Sequence, residues 1–275
     1  MNSIGDVRLP PNGGRRTATG VERVKDDDPE ALAYLESNLV HNALEIWSMK
    51  RESERHELYV RRRNGAIVAH LGIYRAPEAD YASIGGQDEE IIELLAVIPE
   101  KAVVLLTPSA FGLVGGRLGS EKAYMSDLMV VERGRERLVN PDRAVRLSEK
   151  DSKEYAGFGP KFVGPPTAEE LARERISKEA VYGVFDGRLV SVASAVVPLP
   201  EMAVITGVET KKEFRRRGYG SAVVSAAARE ALGRARSCLL GVASDNEEAK
   251  GIYRRLGFRK VGEEVWVDVG TGLSP

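Results

Sequence analysis

The sequence predicts an α/β (α+β) protein built from two halves on one plan, and three observations carry that reading. Strand, glycine-bearing turn and helix follow one another at Met202–Leu232, with Arg215-Arg216-Arg217-Gly218-Tyr219-Gly220 as the turn. A hairpin signal occurs once in each half, at Asn64-Gly65 and at Asp186-Gly187, between apolar runs of strand composition. The length of 275 residues is enough for two ordinary domains with their own cores.

In the first half, a helix is expected from Asp28, with Pro29 suited to its first turn. Leu32, Leu35, Leu39, Ala43, Ile46 and Trp47 recur at helical spacing along it. Strands are expected at Leu58-Tyr59-Val60 and Ile67-Val68-Ala69, joined by the Asn64-Gly65 turn, whose residues tolerate positive φ. A helix at Asp88–Val97, stopped by Pro99, leads to a strand at Ala102–Leu106 and a final strand near Ala123–Val131. Residues 1–27, polar and rich in Gly, Pro and Arg, read as a flexible lead-in. The first domain is therefore placed at 28–133, a linker at 134–142 and the second domain at 143–270.

The second half repeats the order. Ala144–Leu147 reads as a strand, and Thr167–Ile176 as a helix with Thr167 and Glu170 as a capping box. Strands are expected at Val181–Phe185, Leu189–Val197, Met202–Val208 and Ser237–Ala243. Helices are expected at Ser221–Leu232 and from Glu247 through Tyr253. At the place where the first half would carry the glycine turn, the chain reads Ser83-Ile84-Gly85-Gly86-Gln87-Asp88-Glu89-Glu90. Three acids there would repel a phosphate but suit the first turn of a helix. The first half is read as degenerate, with a structural or substrate-shaping role.

Composition narrows the function classes. Hydrophobic content of 43% and charged content of 29% are those of a soluble globular protein. A formal net charge of −1 argues against bulk attraction to nucleic acid or to an anionic membrane. The lone Cys238 lies in an apolar strand, which fits a buried thiol in a reducing, cytoplasmic setting. No run of 18 apolar residues and no signal peptide is found, and no His/Cys cluster has metal-ligand spacing, so no metal is expected.

The basic turn is the chemical centre of the chain. It presents backbone N–H groups at the positive end of a helix dipole, an arrangement that binds phosphate. Glycine at 218 and 220 lets an anion approach where a Cβ would stand in the way. Three features in order, R-x-x-G-x-G at Arg215–Gly220, N-x-x-A at Asn246–Ala249 and Y-x-x-x-G-F at Tyr253–Phe258, resemble the GNAT superfamily of acyl-CoA-dependent N-acyltransferases. The resemblance covers about residues 142–268. It implies two GNAT-like domains, each a mixed, mostly antiparallel sheet flanked by helices, as in tandem members with one degenerate half.

What the resemblance implies for the site is specific. Backbone N–H groups of Arg217, Gly218, Gly220 and Ser221 would take the pyrophosphate of acetyl-CoA or another short acyl-CoA, with Arg215 and Arg216 adding charge and Tyr219 inside the motif. Val208 and Thr210 match the positions whose backbone pairs with the pantetheine arm. A Val208 N–H would polarise the thioester carbonyl as an oxyanion donor does. Tyr253 matches the tyrosine that protonates the leaving thiolate, or else packs against Phe258. Asn246 matches the asparagine that bonds the pantetheine, or caps the helix from Glu247, or both; Ala249 completes that motif.

The general base is not found by this reading. Some family members carry a glutamate at the position of Val204, which holds no proton. Strand alternation puts Glu201 and Glu209 on the face opposite Val204 and Val208, unless a bulge intervenes. His41, His56 and His70 all lie in the first half. The expected activity is transfer of an acetyl or short acyl group to the primary amine of a small molecule, by direct transfer in a ternary complex. A non-catalytic acyl-CoA-binding module and a protein or peptide N-acetyltransferase stand as alternatives. The acceptor side is expected along Asp151–Ile176, with Gly157–Pro160 and Val163–Pro166 as a loop over the opening. Neither nucleic acid nor membrane is expected as a partner, and homodimerisation is left open.

Overall fold

The structure, a computed structural model, describes residues 20–77, 79–86, 89–119, 122–158 and 166–271. In chain order the first elements are β1 (Val21–Val24), α1 (Pro29–Glu36), α2 (Leu39–Arg51), β2 (His56–Arg63), β3 (Ala66–Arg75) and β4 (Asp80–Gly86). Then come α3 (Glu90–Leu94), β5 (Ala102–Leu106), α4 (Pro108–Val114) and β6 (Ala123–Glu132). The remainder holds β7 (Val145–Arg146), α5 (Ser152–Tyr155), α6 (Ala168–Lys178), β8 (Ala180–Phe185), β9 (Leu189–Val196) and β10 (Met202–Thr210). It ends with α7 (Tyr219–Arg234), β11 (Ser237–Ala243), α8 (Glu247–Arg255) and β12 (Arg259–Val269).

Two compact units form, and neither is one stretch of chain. The first takes the described residues of Met1–Asn38, Ser48–Met125 and Glu264–Pro275; the second takes Leu39–Trp47 and Ser126–Glu263. Within the first unit β1, β2, β3, β4 and β5 lie side by side, and Val265–Val269 of β12 pairs with β5. All these pairings are antiparallel except β4 with β5. Asn64 and Gly65 both take positive φ (52° and 87°), as the hairpin signal requires.

Several expectations for the first unit change. The stretch read as a flexible lead-in contains β1, paired to β2 with Val21 and Val24 buried. The long helix from Asp28 is two helices. Asp28 caps the first through Oδ1, accepting from the N–H groups of Glu30 and Ala31, and the Ser37 hydroxyl ends it by donating to the Tyr34 carbonyl at 2.6 Å. The helix expected at Asp88–Val97 is α3 and a following 3-10 turn, Leu95–Val97; Asp88 lies outside the described residues. The acids of α3 are held by arginines of β2, Glu90 by Arg63 and Glu93 by Arg61, each at 2.8 Å. Gly85 and Gly86 serve close packing: a Cβ at 85 would fall 2.2 Å from the His70 ring, and one at 86 would fall 2.8 Å from Ala69 Cα.

The second unit has strand order β6-β11-β10-β9-β8-β7, with β10 and β11 parallel and the other pairs antiparallel. One face is covered by α7, which buries Val223, Val224 and Leu232 between small residues, Ala222, Ala226, Ala227 and Ala231. The alanines let the helix axis come close to the sheet, and each fully buried valine contributes roughly 1.5–3 kcal/mol. The capping box foreseen for α6 is present, with the Thr167 hydroxyl accepting from Glu170 N–H and Glu170 Oε2 accepting from Thr167 N–H. On the second face, α5 and α6 pack over Val181, Leu189 and Val192. Beside them Leu39–Trp47 sets Ala43 against Leu128, Val130, Val196, Met202, Val204 and Leu239. Part of the second unit's core thus comes from a helix encoded among elements of the first.

Candidate active site

The parallel strands β10 and β11 pair from Met202↔Ser237 to Ile205↔Leu240, and there the pairing stops. Both strands continue, β10 to Thr210 and β11 to Ala243. Along Thr206–Thr210, therefore, one edge of β10 is paired with no described strand. Its other edge stays on β9, with an irregularity: Thr206 pairs with Ser194 and Glu209 with Val192, so one extra residue is accommodated. Gly207 absorbs it at φ +59°, a conformation open to glycine at little cost.

This bulge corrects the expected facing of the strand. Ala203 and Ile205 lie in the core under α7, and Val208 packs against that same core. Val204 belongs to the opposite cluster, under Ala43. Val204 and Val208 thus occupy opposite faces, and alternation sends Glu209 away from α7, to the face that carries Tyr155. The Glu209 charge is felt there, because it helps to raise the Tyr155 phenol, whose main shift upward comes from burial. Val204 is a core residue, which is a physical reason for it to be apolar.

The basic turn sits at the end of β10. Arg215 Nε donates to the Thr210 carbonyl at 3.2 Å and fastens the turn to the strand. Thr210 is fixed in turn by a 2.7 Å contact between its hydroxyl and that of Ser191. Arg216 at φ +60° and Gly218 at φ +79° fold the backbone back on itself. Gly218 caps α7, so the helix begins at Tyr219, two residues before the expected Ser221. The first free turn of backbone N–H groups then belongs to Tyr219, Gly220 and Ser221, at the positive end of a 16-residue helix. Arg215, Arg216, Arg217 and Gly218 are exposed around it. The Tyr219 side chain is buried instead: its hydroxyl donates to Asp186 at 2.7 Å, and the Arg143 guanidinium lies 4.2 Å over its ring. Arg217 also reaches Asp186, at 3.3 Å. A Cβ at Gly220 would meet the Thr210 hydroxyl oxygen at 3.4 Å.

Helix α8 brings the other motif residues. Asn246 caps it, accepting from Ala249 N–H at 3.0 Å, and Ala249 is partly buried against the α7 core. Tyr253 is buried with its ring 6.1 Å from that of Phe258, and burial pushes its phenol up to about 12. It therefore stays protonated at neutral pH and can offer a hydrogen bond to an anion. Full transfer to an ordinary alkyl thiolate, of pKa about 8.5, would run uphill. The helix is tied down by Lys250, whose ammonium contacts Asp127 at 3.4 Å and the Ser244 carbonyl. Asp127 also accepts from the Ser244 hydroxyl at 2.6 Å and from Lys260 at 3.0 Å. Burial alone would raise the Asp127 carboxyl, and these bonds and charges together outweigh it and hold the group below its ordinary range.

The histidines have other work. His56 Nδ1 lies 2.7 Å from Asp26, and the buried His70 stacks edge-on to Tyr34 in the first unit. His41, in the second unit, faces the strand at Gly262, and burial lowers its pKa. Among the described residues no group of three His, Cys, Asp or Glu side chains is placed to hold a metal ion, and no helix is long and apolar enough to cross a membrane.

A polar cluster beside the bulge was missed in the sequence. Tyr155 and Ser194 hydroxyl oxygens lie 3.4 Å apart, and Ser194 and Arg175 flank Gly207. Arg175 Nε donates to Glu179 Oε1 at 3.4 Å. The one sequence signal was Gly207 itself, an isolated glycine in a strand pattern. Of the loop expected over the opening, residues 159–165 lie outside the described residues; Phe158 is buried against α5 and α6, with the Lys211 ammonium 4.8 Å over its ring.

Residues 181–267 match the family model described as FR47-like protein. No curated protein matches the sequence. Among solved structures, a Drosophila protein from a structural-genomics programme is similar over 92% of this chain and 99% of its own, with TM-score 0.68 and 16% identity. A tandem GNAT protein from the clavulanic acid biosynthesis pathway is similar over 93% of this chain and 100% of its own, with TM-score 0.57 and 14% identity. A putative GNAT-family acetyltransferase from Novosphingobium aromaticivorans covers 72% of this chain and 86% of its own, with TM-score 0.52 and 21% identity.

Proposed function

Since the chain has the tandem GNAT fold, and residues 181–267 match the FR47-like family, we propose that it is an acyl-CoA-dependent N-acyltransferase acting on the primary amine of a small molecule. The observation that carries this reading is the end of the β10–β11 pairing after Ile205 and Leu240, together with Thr210, at the end of β10, lying beside Gly220 in the first turn of α7. An extended acyl-pantetheine arm would pair with the unpartnered edge of β10 at Val208 and Thr210, and its pyrophosphate would take the N–H groups of Tyr219, Gly220 and Ser221. The fit is supported by Gly218 and Gly220, whose missing side chains leave the turn open to an anion. Arg215, Arg216 and Arg217 add charge there, and Asn246 and Ala249 border the arm from α8.

In the transfer, the amine nitrogen bonds to the thioester carbon, the carbon–sulfur bond breaks, and the amine's proton is balanced by the thiol that leaves. The Val208 N–H would stabilise the oxyanion in between, and Tyr253 would hydrogen-bond the departing sulfur. Both reactants are held together for direct transfer in a ternary complex. The apolar Val204 favours a second reading, a module that binds acyl-CoA without turning it over. Calorimetry with acetyl-CoA, followed by thiol release with a panel of amines, separates the two. Binding with thiol release supports the enzyme; binding without it supports the module; no binding at submillimolar acetyl-CoA removes both. Cys238 is buried with its thiol pushed far up by burial, so it adds little background to the thiol readout.

A further inference from the structure

The cluster beside the bulge contains a carboxylate that the described fold does not satisfy. Glu179 follows α6, its side chain is only 9% exposed, and Oε1 is held by Arg175 Nε. Its second oxygen, Oε2, is buried and takes no hydrogen bond from any described residue. A buried acceptor left so costs free energy, on the order of 1–3 kcal/mol, unless a ligand donates to it. Arg175 runs from Glu179 to the bulge, where its terminal nitrogen would sit 3.7 Å from a Cβ on Gly207. Val208, the proposed oxyanion donor, is the next residue, and Glu209 after it faces the same side as Tyr155. Two carboxylates, one guanidinium and the Tyr155 and Ser194 hydroxyls therefore surround the amine's approach to β10.

We propose that this cluster is the acceptor subsite, and that it selects amines that arrive as cations with no carboxylate beside the nitrogen. Glu179 Oε2 accepts from the incoming ammonium, and Glu209 supplies the second negative charge near the point of attack. Glu179 and Glu209 bring two negative charges and Arg175 one positive, so these three side chains together carry one net negative charge. An α-carboxylate next to the nitrogen would be brought against Glu179 and Glu209, which disfavours amino acids relative to their decarboxylated counterparts. This inference rests on the acyltransferase reading and names its acceptor.

The test compares matched pairs, tyrosine with tyramine and phenylalanine with phenethylamine, in two readouts on the full chain. One is thiol release from acetyl-CoA; the other is the thermal shift that each compound gives in the presence of saturating CoA. The expected result is a shift, or a kcat/KM at least tenfold higher, for the decarboxylated member. Glu179→Gln should raise the amine KM or abolish its thermal shift, while acetyl-CoA affinity stays unchanged. Should Glu179→Gln fail to fold, Glu209→Gln at an exposed position should give a smaller change in the same direction. Equal response to both members of each pair, response to neither, or unchanged amine binding in the variants overturns the proposal while acetyl-CoA binding stands. Loss of acetyl-CoA binding in the wild type overturns the transferase reading and this inference with it.

Discussion

Val204 and Val208, four residues apart in one strand, face opposite sides of the sheet. An unbroken strand would place them together; the extra residue at Gly207 separates them and gives Glu209 the face that Val204 occupies. Gly207→Ala tests how far the bulge depends on its backbone. Space is available, since the nearest atom to the new Cβ is 3.7 Å away, but φ +59° is not. The expected cost is about 1 kcal/mol of stability in urea unfolding. Thiol release should fall more than acetyl-CoA affinity does, because Val208 and Glu209 both shift.

Gly220→Ala separates folding from anion binding. The added methyl meets the Thr210 hydroxyl at an ordinary 3.4 Å and replaces a poor helix former near the start of α7. Thermal stability should hold or rise, by up to about 1 kcal/mol. Acetyl-CoA affinity should fall about tenfold, equivalent to about 1.4 kcal/mol, read by calorimetry. Unchanged affinity would return the arginine turn to a solvated surface.

Tyr253→Phe removes one hydroxyl from a buried ring that keeps its contact with Phe258. Turnover should drop about tenfold or more, with acetyl-CoA affinity within twofold of wild type, because the hydrogen bond matters when the thiolate departs. Pre-steady-state thiol release distinguishes that step from product release.

The pH dependence of stability should carry the mark of Glu264. Burial pushes its carboxyl up to about 7, although Trp266 Nε1 donates to it at 2.8 Å. The folded group thus holds its proton to higher pH than the unfolded one, whose pKa is about 4.3. Its contribution is complete below about pH 4, is lost progressively as pH rises from there through about 7, and the whole change is on the order of 3–4 kcal/mol at most. Glu264→Gln should match the wild type near pH 4 and exceed it in stability at pH 8, measured by urea unfolding at each pH.

Local chemistry was legible in the sequence where a residue acts through its own backbone. Asn64-Gly65, the Thr167–Glu170 box and the arginine–glycine turn each describe a conformation that a few neighbours determine, and each is found in place. Pairings over long separation were not legible. Nothing local distinguishes Leu39–Trp47 as cover for β9, β10 and β11, and Ser37 breaks its helix through one hydroxyl bond. Glu179, Arg175 and Tyr155 meet only because α5 and α6 fold over the bulge. Strand alternation misplaced Glu209 because one glycine changes the count.

The interleaving of the two units bears on how the chain folds as it leaves the ribosome. Leu39–Trp47 is made early, and its apolar face must wait for β6, β9, β10 and β11 before it is covered. The first unit waits longer, since Val265–Val269, its partner for β5, follows every other element of both units. Neither unit can close from its own half of the message. A gene cut between residues 134 and 142 would yield two fragments, each with a sheet or core lacking a part carried by the other. Such fragments should recover a native fold only when expressed together.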